Sequence, residues 1–343
     1  QLDQAEISLE KASASNLATE MPNYSFVKYK DIVYAQSKTA KGSKNMLLDF
    51  YAPDTSCGEK RPTMIFIHGG GFQNGSKGNS LQRTQAELAA QAGLNAIAIN
   101  YRLVGDKPEL SKESKAFLQS APYVDSRDPQ TQAALAAMED AVAAAQWLSQ
   151  QTSDKYCIDA TRLGASGYSA GAITALNLTY AAQDIYKNVP SMQVVASISG
   201  QLIDNSVLQK GDTPALIIHG DQDNFVPYAD MLSTEDRLIE LKVPYTFLSL
   251  EGVDHGVIPA FQQDKILNNG SLREFTTEYY YRHLVKNGNP QNFGFLSIDP
   301  KAKNKTPAPS TMQKQPAPAP NKEDQAKENK PKKFLPGKSV VPV

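Results

Sequence analysis

The pentapeptide Gly167-Tyr168-Ser169-Ala170-Gly171 stands between a strand-like run at 162–165 and an alanine-rich helical pattern over 170–182. A serine between two glycines at this spacing fits a sharp turn from strand to helix. The glycines let the backbone pass close to its neighbours, and the hydroxyl stands at the top of the turn. Alone, the pentapeptide is a weak signal. Its companions strengthen it. His68-Gly69-Gly70-Gly71-Phe72 follows the apolar run Met64-Ile65-Phe66-Ile67. Consecutive glycines at the carboxyl end of a strand can turn backbone N–H groups into one concavity that holds a developing oxyanion. His219-Gly220-Asp221-Gln222-Asp223 follows Ala215-Leu216-Ile217-Ile218, and Asp254-His255-Gly256 follows the apolar stretch 245–250. Each motif lies where a strand gives way to a loop.

Read along the chain, the order is oxyanion glycines, serine, acid, histidine, the order that α/β-hydrolases use. On the residues 68–72, 167–171, 219–223 and His255-Gly256, the chain resembles the carboxylesterase and lipase branch of the α/β-hydrolases. The nearest likeness is to esterases with an HGGG oxyanion loop, which include hormone-sensitive-lipase-like and polysaccharide-decorating esterases. The resemblance runs from about Tyr24 to about Asn287, with one departure at Ala172, where several members carry a further glycine. It implies an α/β fold with a mostly parallel eight-stranded sheet and helices on both faces. It also implies carboxylic-ester hydrolysis through an acyl-enzyme.

Ser169 is the candidate nucleophile, and a serine hydroxyl needs a neighbouring base to take its proton. The chain has four histidines. His68 precedes the oxyanion glycines, His219 ends a strand as a packed side chain, and His283 sits in a helical pattern near the carboxyl end. His255, in the glycine-flanked loop 252–256, is left as the base. Asp223 is the candidate acid because 219–227 resembles the family's acid turn, with Asp221 and Asp254 as alternatives. By the same resemblance, Gly70, Gly71 and Ala170 supply the oxyanion N–H groups. Neither a G-x-G-x-x-G pattern nor a phosphate-binding Gly-Lys-Ser/Thr ending is present, and there is no H-E-x-x-H or Cys/His cluster. No cofactor and no metal are therefore expected.

Composition sets the remaining bounds. A chain of 343 residues that is 41% apolar can bury a large core, and a net charge of −1 gives no reason to expect nucleic acid. The charge is uneven: residues 301–343 hold ten lysines against three acidic residues, a net of +7, which leaves −8 on the rest. No apolar run is long enough to span a bilayer; the closest, 133–148, is interrupted by Glu139 and Asp140. The first residue is Gln1, as a removed signal peptide would leave it, and the expectation is a secreted or periplasmic protein. In an α/β-hydrolase the third and fifth strands are neighbours. Cys57 and Cys157 precede those strands, so the fold that the resemblance implies has room for a disulfide between them that closes a long loop, with two unrelated small residues as the alternative.

Three regions are expected: an extension at 1–23, a catalytic domain at 24–298, and a disordered tail at 299–343 rich in Pro, Lys and Ala. The tail could tether the protein to another module or surface. Strands are expected at 26–34, 46–51, 63–67, 94–100, 162–165, 194–199, 215–218 and 245–250, the second alternating like an edge strand. Residues 103–128 are too long for a simple connection and should form a small lid or rim. The interval between Ser169 and Asp223 leaves no room for a large cap. Substrates are expected to be small-molecule or polysaccharide-borne esters of short acyl chains, acetyl or feruloyl groups among them. An amidase or peptidase of the same fold, or a catalytically silent binding module, is the alternative.

Overall fold

The computed structural model describes residues 21–120, 125–151, 155–263, 270–286 and 293–301; the expected extension at 1–23 and tail at 299–343 lie almost wholly outside them. Nine strands form one sheet in the order β1-β2-β4-β3-β5-β6-β7-β8-β9. They are β1 (Phe26–Thr39), β2 (Gly42–Pro53), β3 (Arg61–Ile67), β4 (Asn95–Ile99), β5 (Ile158–Tyr168), β6 (Met192–Ile198), β7 (Ala215–Gly220), β8 (Tyr245–Leu250) and β9 (Gly294–Ile298). Strand β2 runs antiparallel to both β1 and β4, and every pair from β4 to β9 is parallel.

The sheet has one strand more than the eight expected. Strand β9 is a five-residue edge strand beside β8, too short to announce itself by periodicity. The expectation that the second strand forms an edge also fails, because β1 covers it. Each central strand is apolar on both faces, as burial between two helical layers requires. On β3, Ile65 and Ile67 enter one core and Met64 and Phe66 the other. The first core is covered by α3 (Pro129–Gln150) and α4 (Ala170–Tyr180), and the second by α1 (Ser80–Gln91) and α6 (Leu272–Leu284); α2 (Lys112–Ser120) and α5 (Tyr228–Leu241) complete the longer helices.

Helix α3 opens with Pro129 behind an Asp128 cap that accepts from Thr131 N at 2.9 Å, and its buried alanines let it lie close to the sheet. The acidic pair that interrupts its apolar pattern has a partner. Arg102, only 2% exposed, bonds Asp140 at 3.0 Å and Glu139 at 2.6 Å. This buried cluster pins the segment after β4 to the flank of α3. The segment continues as a 3₁₀ turn (Val104–Asp106) and α2, with residues 121–124 outside the described set. Its Val104 N–H donates to Phe72 O at 2.8 Å, so it rims the oxyanion-loop side of the molecule. Ser114 bonds Tyr186 at 2.6 Å, which keeps α2 beside the helical layer. Between Ser169 and Asp223 the chain length is taken up by α4, β6 and β7, and no cap is inserted.

Cys57 and Cys157 are joined across 100 residues with their Cα atoms 5.7 Å apart, at the amino-terminal edge where β3 and β5 pair. Cross-linking so long a loop restricts the unfolded chain. Reduction is expected to lower the unfolding free energy by roughly 3–5 kcal/mol. Urea midpoints measured with and without reductant would show this, and coincident midpoints would contradict it.

Candidate active site

All four motifs meet at the carboxyl ends of the parallel strands, where open α/β sheets bind their ligands. Ser169 joins β5 to α4 at φ 54°, a conformation that side-chain-bearing residues rarely adopt. The turn is possible because Gly171 passes against β3: a Cβ there would lie 2.0 Å from Ile67 O. Ser169 N–H donates to Ile198 O at 2.8 Å, which locks the turn onto β6.

Ser169 Oγ lies 2.8 Å from His255 Nε2, and His255 Nδ1 lies 2.8 Å from Asp223 Oδ2. A carboxylate only accepts, so Nδ1 carries the proton and Nε2 presents its lone pair to the serine hydroxyl. Asp223 follows β7 and is 3% exposed. Its Oδ1 accepts from the backbone N–H groups of Phe225 and Val226, both at 2.9 Å. Its Oδ2 accepts from His255 and also from His219 Nε2 at 3.1 Å. Burial alone would push this carboxyl up. The hydrogen bonds from His219, His255 and the Val226 N–H outweigh burial and hold it well below the usual carboxylate range.

His219 is the residue whose part sequence reasoning missed. It is fully buried, and its Nε2 is 3.0 Å from Val226 O as well as 3.1 Å from Asp223. Both neighbours are acceptors, so Nε2 is protonated and the ring helps to orient the Asp223 carboxylate. The only sequence signal was its spacing of four from Asp223. The carboxylates of the two alternatives bond backbone N–H groups. Asp221 Oδ1 accepts from Gly252 N at 2.8 Å, tying the acid turn to the histidine loop, and Asp254 Oδ1 accepts from Gly256 N at 2.8 Å.

Two aromatic rings lie against His255. The Tyr168 ring stacks on His255 at 5.5 Å, and its hydroxyl donates to His255 O at 2.9 Å. Burial, with Asp223 and Asp254 nearby, pushes that hydroxyl up to about 12, so it stays a donor. The Phe225 ring lies 4.8 Å from His255.

The glycine loop after β3 is held from below. Tyr101 stacks on His68 at 4.2 Å and donates to His68 O at 2.8 Å. His68 Nδ1 donates to Gly69 O at 2.8 Å, and Gln130 Nε2 to Gly71 O at 3.0 Å. Gly70 turns at φ 119°, where a Cβ would meet Asn74 O at 2.2 Å. No backbone acceptor among the described residues takes the N–H of Gly70, Gly71 or Ala170.

Burial pushes His68 down to about 4 from its ordinary 6.5, against the pull of its bond to Gly69. Below pH 6.5 the unfolded chain gains a proton that the folded chain refuses. Stability from this residue is thus intact above pH 6.5 and lost as pH falls towards 4, by roughly 3 kcal/mol in all. Urea midpoints taken between pH 7 and 4 should fall accordingly, and a His68→Asn variant should lack that part of the fall. Equal slopes in the two proteins would refute it.

Comparison with known families gives two matches. A family described as Phospholipase/Carboxylesterase matches residues 119–266, and one described as BD-FAE matches residues 48–113. Sequence comparison with curated proteins gives no match. Among solved structures, esterase 2 of the Planctomycetes species Thermogutta terrifontis is similar in a form phosphorylated by paraoxon, at 22% identity and TM-score 0.54 over 76% of this chain and 92% of that one. Its propionate-bound form is similar at 21% identity and TM-score 0.53, over the same 76% and 92%. A truncated carbohydrate esterase from gut microbiota is similar at 18% identity and TM-score 0.54, over 77% of this chain and 99% of that one. The two family models match separate parts of the chain and are both of carboxylesterase or hydrolase type, and the solved structures share its α/β fold.

Proposed function

We propose that this esterase cleaves short-chain acyl esters through an acyl-enzyme on Ser169, with His255 as general base and Asp223 as the acid that orients it. The carrying observation is the unbroken relay of 2.8 Å contacts from Ser169 Oγ to His255 Nε2 and from His255 Nδ1 to Asp223 Oδ2. Ser169 Oγ attacks the ester carbonyl carbon as its proton passes to His255 Nε2. The carbonyl oxygen becomes an oxyanion, held by the N–H groups of Gly70, Gly71 and Ala170. Collapse breaks the bond to the alcohol oxygen, and His255 returns the proton to that leaving group. Water then repeats the sequence on the acyl-serine and releases the acid.

Short chains are supported by the lack of an inserted cap and by the propionate seen in the similar Thermogutta esterase. Polysaccharide-borne acyl groups are supported by the likeness to a carbohydrate esterase. The disulfide supports an oxidising compartment, hence export, and no helix among the described residues is long and apolar enough to cross a membrane. Residues 299–343 are the proposed tether.

The test is hydrolysis of p-nitrophenyl esters from acetate to palmitate. Activity peaking at acetate to butyrate is expected. A peak at long chains would overturn the substrate reading, and no hydrolysis at any length would overturn the esterase reading.

A further inference from the structure

Five large apolar side chains are exposed among the described residues: Tyr24, Tyr29, Val33, Phe225 and Ile239. Only Phe225 makes ring contact with a residue of the proposed triad. It is 46% exposed, an unusual place to leave a phenyl ring beside a chemical centre. Its backbone is not loose: the Phe225 N–H donates to Asp223 Oδ1 at 2.9 Å, so the acid fixes where the ring stands.

The chemistry says what must pass this ring. In the acyl-enzyme reading, on which the inference rests, His255 Nε2 delivers a proton to the leaving oxygen. The alcohol half of the ester therefore lies beside the imidazole, and the acyl oxygen lies on the side of Gly70 and Gly71. Of the two rings beside the imidazole, Tyr168 has its hydroxyl committed to His255 O. Phe225, tilted 42° from the imidazole plane at 4.8 Å, keeps much of its surface open.

We propose that Phe225 is the leaving-group platform of the site and selects esters whose alcohol half is a ring. Both an aryl ring and the C–H face of a sugar ring can pack flat on a phenyl group, and a two-carbon alcohol cannot. A contact of this kind is worth about one order of magnitude in kcat/KM.

The experiment holds the acyl group at acetyl and varies the alcohol: ethyl acetate, phenyl acetate and a mono-acetylated pyranose. It uses the full chain, Phe225→Ala and Phe225→Tyr. Because each variant is compared with the parent on the same ester, differences in intrinsic reactivity cancel. Phe225→Ala is expected to lose about ten-fold more kcat/KM on a ring ester than on ethyl acetate, and Phe225→Tyr to restore the ratio. A selective loss on the pyranose assigns the platform to sugars, and one confined to phenyl acetate assigns it to aryl alcohols. A uniform loss across the three esters would overturn the platform. Intact-mass detection of acetyl-enzyme in the parent distinguishes failure of the platform from failure of the acyl-enzyme mechanism: its absence, with Ser169→Ala still active, would sink the mechanism instead.

Discussion

Ser169→Ala is expected to lower kcat/KM on p-nitrophenyl acetate by roughly ten-thousand- to a million-fold while the protein stays folded. The fold should survive because the hydroxyl's contact is with His255 alone, whereas the turn is held by the Ser169 N–H on Ile198 O. Alanine meets the same positive φ that serine already tolerates, so little new strain is added. The chemical loss is large because in the proposed mechanism the hydroxyl forms the covalent bond and His255 has nothing else to activate. Ser169→Ala combined with His255→Ala should then cost little more than either alone, since the two side chains act as one unit. Burst kinetics with thermal melts on all three variants would show this. Multiplicative losses, or a residual rate near that of the parent, would contradict it.

Asp223→Asn is expected to lower kcat by roughly ten-thousand-fold, with a small effect on KM. The reason is proton placement around one carboxylate. Asp223 Oδ1 accepts two backbone N–H groups, from Phe225 and Val226, and Oδ2 accepts from two imidazoles. Asparagine has one acceptor oxygen, which the two backbone donors will claim. Its amide NH₂ then faces His255 Nδ1, which must give up its proton to accept. The proton moves to Nε2, where it blocks the transfer from Ser169. The same substitution at Asp221 or Asp254 should cost far less, because each of those carboxylates bonds only loop residues such as Gly252 and Gly256. A larger loss at either than at Asp223 would move the acid.

Much of this candidate site is legible in the sequence, because its motifs are local. The glycines at 69–71, 167 and 171 and the strand-to-loop positions of Asp223 and His255 are visible in short windows. Register then does the rest: β3, β5, β7 and β8 are all parallel, so their carboxyl ends deliver the motifs to one edge. The same topology made a bond between Cys57 and Cys157 possible, and the structure joins them. What was not legible depends on contacts between distant segments. His219 read as a packed strand residue, since nothing in its own run shows that its Nε2 reaches the acid. The register shifts of β1 between Tyr29 and Ile32 and between Val33 and Ala35 break the alternation that would have carried the strand on to Thr39. Glu139 and Asp140 looked like an interruption of an apolar helix until Arg102 arrived from the loop after β4.

The central claim is that Ser169 is the residue that forms the covalent bond. Paraoxon phosphorylates the similar Thermogutta esterase, which makes it a suitable probe. The measurement is intact and peptide mass analysis of the full chain after paraoxon treatment. One diethylphosphoryl group per chain, on the peptide holding Gly167 to Gly171 and absent from Ser169→Ala, is the predicted result. A folded, unlabelled protein, or an adduct on any other residue, would contradict it.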